Sequence, residues 1–212
     1  MGMQAIGTVK GGGAYNVKGR DGSQKQMVSF TVVDSVGNTY PCQMWPDDPQ
    51  CAELAQVIGE MRRQRVQFNV AGYTVRMRTF QDGTEKPQVN FIVSEVGTPA
   101  DGASELVMAF TGTVKGGGAY NVKGRDGSEK PMVSFTVVDE LGTTYPCQMW
   151  PDDPQHAQLA QVIGNARRQQ VSFTVAGYTL RMRKFQDGTE KPQINFIVSD
   201  VVFPALAAGL SA

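Results

Sequence analysis

The sequence predicts an all-β protein made of two copies of one five-stranded barrel unit, each with a single helix between its third and fourth strands. Three observations predict it. The chain of 212 residues aligns with itself at an offset of 105 positions, Met3–Val96 on Met108–Val201 without a gap, and 75 of those 94 positions are identical. Apolar and polar residues alternate over most of the unit, the period-2 pattern of a sheet with one buried face. Only one segment per unit changes to helical spacing. A repeat this long, present twice, means tandem domains rather than a solenoid, and roughly 100 residues is enough for each to bury its own core. The expected division is 1–96 for the first domain, 97–107 for a linker, 108–201 for the second domain and 202–212 for a C-terminal tail. The linker, Gly97-Thr-Pro-Ala-Asp-Gly-Ala-Ser-Glu-Leu-Val107, is rich in turn formers and spans roughly 17–20 Å as flexible coil.

In the first copy, Ile6–Lys10 reads as a short strand running into Gly11-Gly12-Gly13 and a long polar hairpin, with Lys18-Gly-Arg-Asp-Gly-Ser23 at its tip. Val28–Asp34 alternates, with Val28, Phe30 and Val32 on one face and Ser29 and Thr31 on the other. A Gly37-Asn38 turn leads to Thr39–Trp45, where Tyr40, Cys42 and Met44 share the apolar face. Thr39, Gln43 and Trp45 share the opposite, mostly polar one. Pro46-Asp-Asp-Pro49 reads as a helix start, with Asp48 as the cap and Pro49 in the first turn. Leu54, Val57, Ile58 and Met61 recur at helical spacing, and Arg62, Arg63 and Arg65 end the helix with favourable charge. Val66, Phe68 and Val70 open a strand in one phase; after Ala71-Gly72 the apolar positions become Tyr73, Val75 and Met77, so a bulge at Gly72 is expected. Beyond it Arg76, Arg78 and Phe80 point outward together. The Gln81-Asp-Gly-Thr84 turn returns the chain through Val89, Phe91 and Val93, with Gln88 and Asn90 facing out. Three strands, a helix and two strands is the element order of the OB fold, a five-stranded Greek-key barrel.

Composition closes several doors. Twenty Lys+Arg balance twenty Asp+Glu, so a case for nucleic acid rests on where the charges sit. No window approaches the ~18 apolar residues of a membrane span, and Met1-Gly2-Met3-Gln4 does not lead into a secretory signal. With three Cys, an odd number, this fits reduced thiols in a cytoplasmic, cytosol-like compartment. The single His, His156, aligns with Cys51, and a site used by both domains must be built from shared residues, which excludes His. Cys42 and Cys147 face the apolar side and read as core thiols. The triple glycine lacks the G-x-x-x-x-G-K-[ST] pattern of a phosphate loop and reads as a mobile or tightly turning hairpin. Asp47-Asp48 reads as a helix cap rather than a metal site. No enzyme activity, metal or cofactor is expected.

What the outward face offers is aromatic rings among cations. Trp45 shares a phase with Gln43 and Thr39, Phe80 shares one with Arg76 and Arg78, and Tyr15 sits in the Gly-rich hairpin between Lys10 and Lys18, with Arg20 at its tip. The second copy repeats them as Trp150, Phe185, Arg181, Arg183, Tyr120, Lys115, Lys123 and Arg125. Each has a plainer reading: Trp45 packing under the Pro46 loop, Phe80 closing its own hairpin, Arg76 and Arg78 guarding an exposed strand against aggregation. Together they fit unstacked bases, since aromatic–base stacking is worth ~1–3 kcal/mol per base and the cations meet phosphates. Three rings per domain give roughly 3–9 kcal/mol before ordering costs, against about 8 kcal/mol for micromolar binding. One domain is marginal and two on one strand are comfortable.

The stretch from Ala52 through Arg62-Arg-Gln-Arg-Val66 to Gly72, followed by Val75-Arg76-Met-Arg78-Thr-Phe80 and, in the second copy, Leu180-Arg181-Met-Arg183-Lys-Phe185, resembles bacterial single-stranded DNA-binding proteins. In that family a helix and a strand ending in Gly precede an L-R-x-R-x-W pattern. The resemblance implies that Phe80 and Phe185 take the place of the stacking Trp, and that Trp45 and Trp150 stand where the family places another stacking aromatic. It also implies a homodimer, bringing four OB domains together. The family's acidic tail, which recruits replication and repair partners, has no counterpart after Asp200, so recruitment by that route is not expected. The expected function is coating and protection of single-stranded DNA with little sequence preference, in replication, recombination or repair. The rival expectations are an RNA-binding or primosome-type OB module, and a protein-interaction OB scaffold in which Trp45 and Phe80 are interface residues.

Overall fold

The structure, a computed structural model, describes residues 3–19, 21–100, 108–123, 127–185 and 187–203. These fall into two compact units. In the first, strands β1 (Met3–Lys18), β2 (Gln24–Val33) and β3 (Thr39–Met44) precede helix α1 (Cys51–Val57), and β4 (Arg65–Thr79) and β5 (Glu85–Gly97) follow. In the second, β6 (Ala109–Lys123), β7 (Glu129–Val138), β8 (Thr144–Met149), helix α2 (His156–Val162), β9 (Gln170–Lys184) and β10 (Glu190–Val202) repeat that order.

Within the first unit the strands pair as β1-β2-β3-β5-β4 and β4 returns to β1, which closes the barrel. The β3–β5 ladder is parallel and the others antiparallel. The second unit closes in the same way, β6-β7-β8-β10-β9 and back to β6. Each unit is an OB fold, with its helix between the third and fourth strands. The core follows from the alternation: Val28, Phe30 and Val32 of β2, Tyr40, Cys42 and Met44 of β3, Val66, Phe68 and Val70 of β4, and Val89, Phe91 and Val93 of β5 are all buried. The β2–β3 turn is pinned by buried Asp34. Its carboxylate accepts from the backbone N–H of Val36 and Asn38 at 3.1 and 2.8 Å and from the Tyr40 hydroxyl at 2.8 Å. Asp139 does the same for Leu141, Thr143 and Tyr145.

The elements differ from the expected ones in four places. First, β1 does not stop at Lys10; it runs unbroken through Gly11-Gly12-Gly13 to Lys18. Of the three, Gly12 serves close packing rather than a turn. A Cβ on Gly12 would stand 2.6 Å from Phe30 Cβ and 2.8 Å from Ile58 Cγ1, so only glycine lets β1 pass beneath the end of α1. Second, α1 is shorter than its periodicity suggests and begins after Gln50, with no side-chain cap. Asp48 is not the cap: it closes a turn one step earlier, accepting from Gln50 N at 3.0 Å. The arginines do not end the helix either, because Arg63 takes a positive φ of 70° and Arg65 already opens β4.

Third, the bulge in β4 falls at Ala71. Val70 pairs with Val93 and Gly72 with Ile92, which leaves Ala71 as the extra residue; Ala176 is its counterpart in β9. The slip of phase happens as expected, one residue before Gly72. Fourth, Met77, placed inward by that phase, is exposed, as is Met182. Beyond Val70, β4 pairs only with β5, and past the pair of Val75 with buried Val89 the hairpin leaves the barrel as a finger whose inner side has no core to meet. Of the expected linker and tail, Gly97 and Val202 still belong to strands and Phe203 is buried. Residues 101–107 and 204–212 lie outside the described residues.

Candidate nucleic-acid interface

Residues paired across a ladder share a face, so the registers define the outer surface of the first unit. Gly13 pairs with Ser29, Ser29 with Gln43, Gln43 with Ile92 and Ile92 with Gly72. That row crosses five strands and contains no charge. Above and below it the same face carries the aromatic and cationic groups, at opposite ends.

At one end Tyr15 pairs with Met27, and Trp45 follows β3 in the phase of Gln43. Tyr15, Trp45 and Phe80 are between 37% and 55% exposed; a ring this uncovered on a polar surface gains little from folding. Trp45 forms a wall of a cleft of about 510 Å³ with Pro46, Asp47, Lys18 and Lys25. Lys25 reaches across from β2 to hold Asp47 Oδ1 at 2.8 Å, and that carboxylate pushes the Lys25 ammonium up from its ordinary value. In the second unit Tyr120 is equally exposed and Trp150 is half-buried.

At the other end is the finger. Arg76 pairs with Gln88 and Arg78 with Lys86. Arg78 Nη1 donates to Gln88 Oε1 at 3.2 Å and its guanidinium carbon lies 5.5 Å from the centre of the Phe80 ring. Lys86 Nζ lies 5.8 Å from the same ring. Phe185 is flanked likewise by Arg183 at 5.4 Å and Lys191 at 5.7 Å. Such cation–π contacts contribute about 0.5–1 kcal/mol at exposed sites and hold the ring between two charges. The finger tip is fixed by Asp82, which accepts from Thr84 N at 3.0 Å and Thr84 Oγ1 at 2.7 Å. Those hydrogen bonds hold its carboxyl below the usual range, and Gly83 supplies the φ of +77° that the turn requires.

The expected residues therefore form two groups rather than one. Tyr15, Lys18 and Trp45 gather at the hairpin end; Arg76, Arg78 and Phe80 gather on the finger. Extending the β3–β5 register puts the row of Trp45 at Ser94, six residue steps along β5 from Gln88 in the row of Arg76, about 20 Å at strand rise. Lys10 and Lys115 are exposed extra residues of bulges in β1 and β6 and belong by register to neither group. Arg20 and Arg125 lie outside the described residues. In the second unit Tyr120, Lys123 and Trp150, and separately Arg181, Arg183 and Phe185, hold the matching places. The sequence reading missed Lys86 and Lys191, which complete the setting of each phenylalanine, and Lys25 beside Trp45. Counting outward from the Asp82-Gly83 turn places Lys86 across from Arg78, so that signal was present. The Lys25–Asp47 contact spans two elements and left none.

No protein-family model and no curated protein sequence matches the chain. Among solved structures it is similar to the wild-type single-stranded DNA binding protein from Thermus aquaticus, at 12% identity and a TM-score of 0.48, covering 95% of this chain and 91% of that one. A deletion mutant of that protein gives the same identity and TM-score, with 95% and 93% covered. A replication protein A heterotrimer bound to ssDNA is similar at 8% identity and a TM-score of 0.30, covering 92% of this chain and 49% of that one. Among the described residues no helix is long and apolar enough to cross a membrane, and no three His, Cys, Asp or Glu side chains gather as metal ligands.

Proposed function

We propose that each unit binds single-stranded DNA along the face described above, with little sequence preference over most of its length, and that the chain coats strands exposed in replication, recombination or repair. One observation carries the reading: both units leave a tyrosine and a phenylalanine exposed and a tryptophan part-exposed on one polar sheet face, with a cation-flanked ring at the finger. Bases supply the missing cover. Stacking accepts any base, because each has a π-face, at ~1–3 kcal/mol per base. The uncharged row through Gln43 and Ile92 gives a strand a path between the two ends. Arg76, Arg78 and Lys86 meet phosphates there and draw in the polyanion. A homodimer with four OB units belongs to the same reading.

Intrinsic tryptophan fluorescence during titration with long oligo(dT), at low and then high salt, tests it. Trp45 and Trp150 are the chain's only tryptophans, so the signal reports the site. Saturable quenching that weakens with salt, at a log–log slope of about −0.7 per phosphate contact, is the expected result. A flat trace with no gel shift would overturn the reading and favour a protein-interaction scaffold.

A further inference from the structure

The Asp47 carboxylate lines the Trp45 cleft, where its ion pair with Lys25 ties the loop after β3 to β2. Its neighbour Asp48 makes the turn before α1, whereas Asp47 is 84% exposed and its partner is Lys25, at 2.8 Å. Lys25 anchors one oxygen and holds the carboxylate in the cleft whose wall is Trp45. A negative charge beside a phosphate path is unfavourable, and the second unit repeats Trp150, Pro151 and Asp152 with Lys130 in the matching place on β7. An ionised carboxylate only accepts hydrogen bonds, at about four lone-pair sites. Lys25 occupies one of them, and the carboxylate, 84% exposed, keeps the others open in the cleft it shares with Trp45.

Single-stranded RNA is read on its base edges, with the base stacked on an aromatic ring, and a DNA base stacked on Trp45 exposes the same edge. The bases differ in what they offer a carboxylate. Guanine presents two adjacent donors, N1–H and the 2-amino group, which match two carboxylate oxygens. Cytosine and adenine present one amino group each. Thymine presents one N–H between two carbonyl oxygens, which repel the carboxylate.

Building on the single-strand reading, we propose that Asp47, and Asp152 in the second unit, reads the Watson–Crick edge of the base stacked on the neighbouring tryptophan and favours guanine over thymine at that place. The rest of the face stays indifferent to sequence, so the chain carries one selective position per unit.

The test compares tryptophan quenching by oligo(dT) with that by an oligonucleotide of repeating dT-dT-dG and by the same repeat with deoxyinosine, which lacks the 2-amino group, in place of dG. The dG repeat is expected to bind on the order of tenfold more tightly than oligo(dT), with the inosine repeat between them. In the Asp47→Asn, Asp152→Asn double variant the dG advantage disappears, while oligo(dT) binds somewhat more tightly because a repelling charge is gone. Equal affinity of the unaltered protein for oligo(dT) and the dG repeat overturns this inference alone. Absence of quenching by every oligonucleotide overturns the single-strand reading, and this inference with it. A dG advantage that survives in the double variant assigns selectivity elsewhere and also overturns the role of Asp47.

Discussion

On the finger, the outward positions Thr74, Arg76, Arg78, Lys86, Gln88, Asn90 and Ile92 all have identical counterparts in the second unit. The three changes in that hairpin, Val75 to Leu180, Thr79 to Lys184 and Val89 to Ile194, fall on its inner side. Around the same barrel, where β1 meets β4, the opposite holds. Gln4, Ile6, Gln67 and Asn69 become Ala109, Thr111, Ser172 and Thr174. The polar contact there is rebuilt with other groups: Gln4 Nε2 donates to Asn69 Oδ1 at 3.2 Å in the first unit, and the Thr111 and Ser172 hydroxyls lie 2.9 Å apart in the second. The interior changes too, since Ala5 becomes Phe110, whose ring meets Tyr145, Phe173 and Phe196. Backbone ladders hold a strand in place whatever side chains it carries, so the β1–β4 surface and the core admit replacement by groups that satisfy each other. On the finger the contacts are conserved between the units along with the residues, Arg78 to Gln88 recurring as Arg183 to Gln193 and each phenylalanine lying between two cations, and the proposed function requires this sameness of two faces that take the same ligand.

The largest effect is expected where the interiors differ. Phe110→Ala returns the second core to the first unit's residue but not to its packing, and should destabilise that unit by about 3–5 kcal/mol. Denaturant unfolding followed by Trp150 emission, in a Trp45→Phe background, should show the shift. Where the units agree, their responses should agree. Gly12→Ala and Gly117→Ala bring a Cβ to 2.6 and 2.5 Å from the neighbouring phenylalanine Cβ, and each should cost about 1–3 kcal/mol or more, read by the same unfolding experiment. Phe80→Ala and Phe185→Ala should weaken oligo(dT) binding by similar amounts, about 1–3 kcal/mol each, and leave the unfolding midpoints in place. A large inequality between them would break the equivalence of the two faces.

The smallest effect concerns the thiols. Burial pushes Cys42, Cys51 and Cys147 up from the ordinary thiol value of about 9, so the native state keeps protons that the unfolded chain releases. Their contribution to stability is full below about pH 9 and declines as pH rises beyond it. The first unit holds two of the three thiols, because His156 replaces Cys51 in the second, and should lose more stability in alkali. All three thiols should resist alkylation until the chain unfolds.

The barrel was legible because its signal is local and repetitive. Val28-x-Phe30-x-Val32 and Tyr40-x-Cys42-x-Met44 announce both strand and buried face, and the phase slip after Val70 announces the bulge. The length of β1 was not legible, since three glycines read as a turn until Phe30 and Ile58 are seen against Gly12. Helix α1 misled through its arginines, which carry the right charge for a helix end while the backbone has already left the helix at Arg63. For the site, phase along a strand identified which rings face out. It could not say that Trp45 and Phe80 stand at opposite ends of the face, because that depends on β3 running parallel to β5, a long-range pairing. Lys25 and Asp47 meet for the same reason.

The extra residue at Ala71 acts as a frame shift in the two-residue code of β4. Upstream, the even positions Val66, Phe68 and Val70 close the barrel; downstream, Arg76 and Arg78 are still even, yet they now face solvent. Were the strand to straighten, Arg76, Arg78 and Phe80 would turn together to the other side of the finger, and Met77 would take their place beside Gln88. The irregularity therefore decides which residues the finger displays, and one residue of slack lets barrel closure and surface chemistry change independently along a single strand.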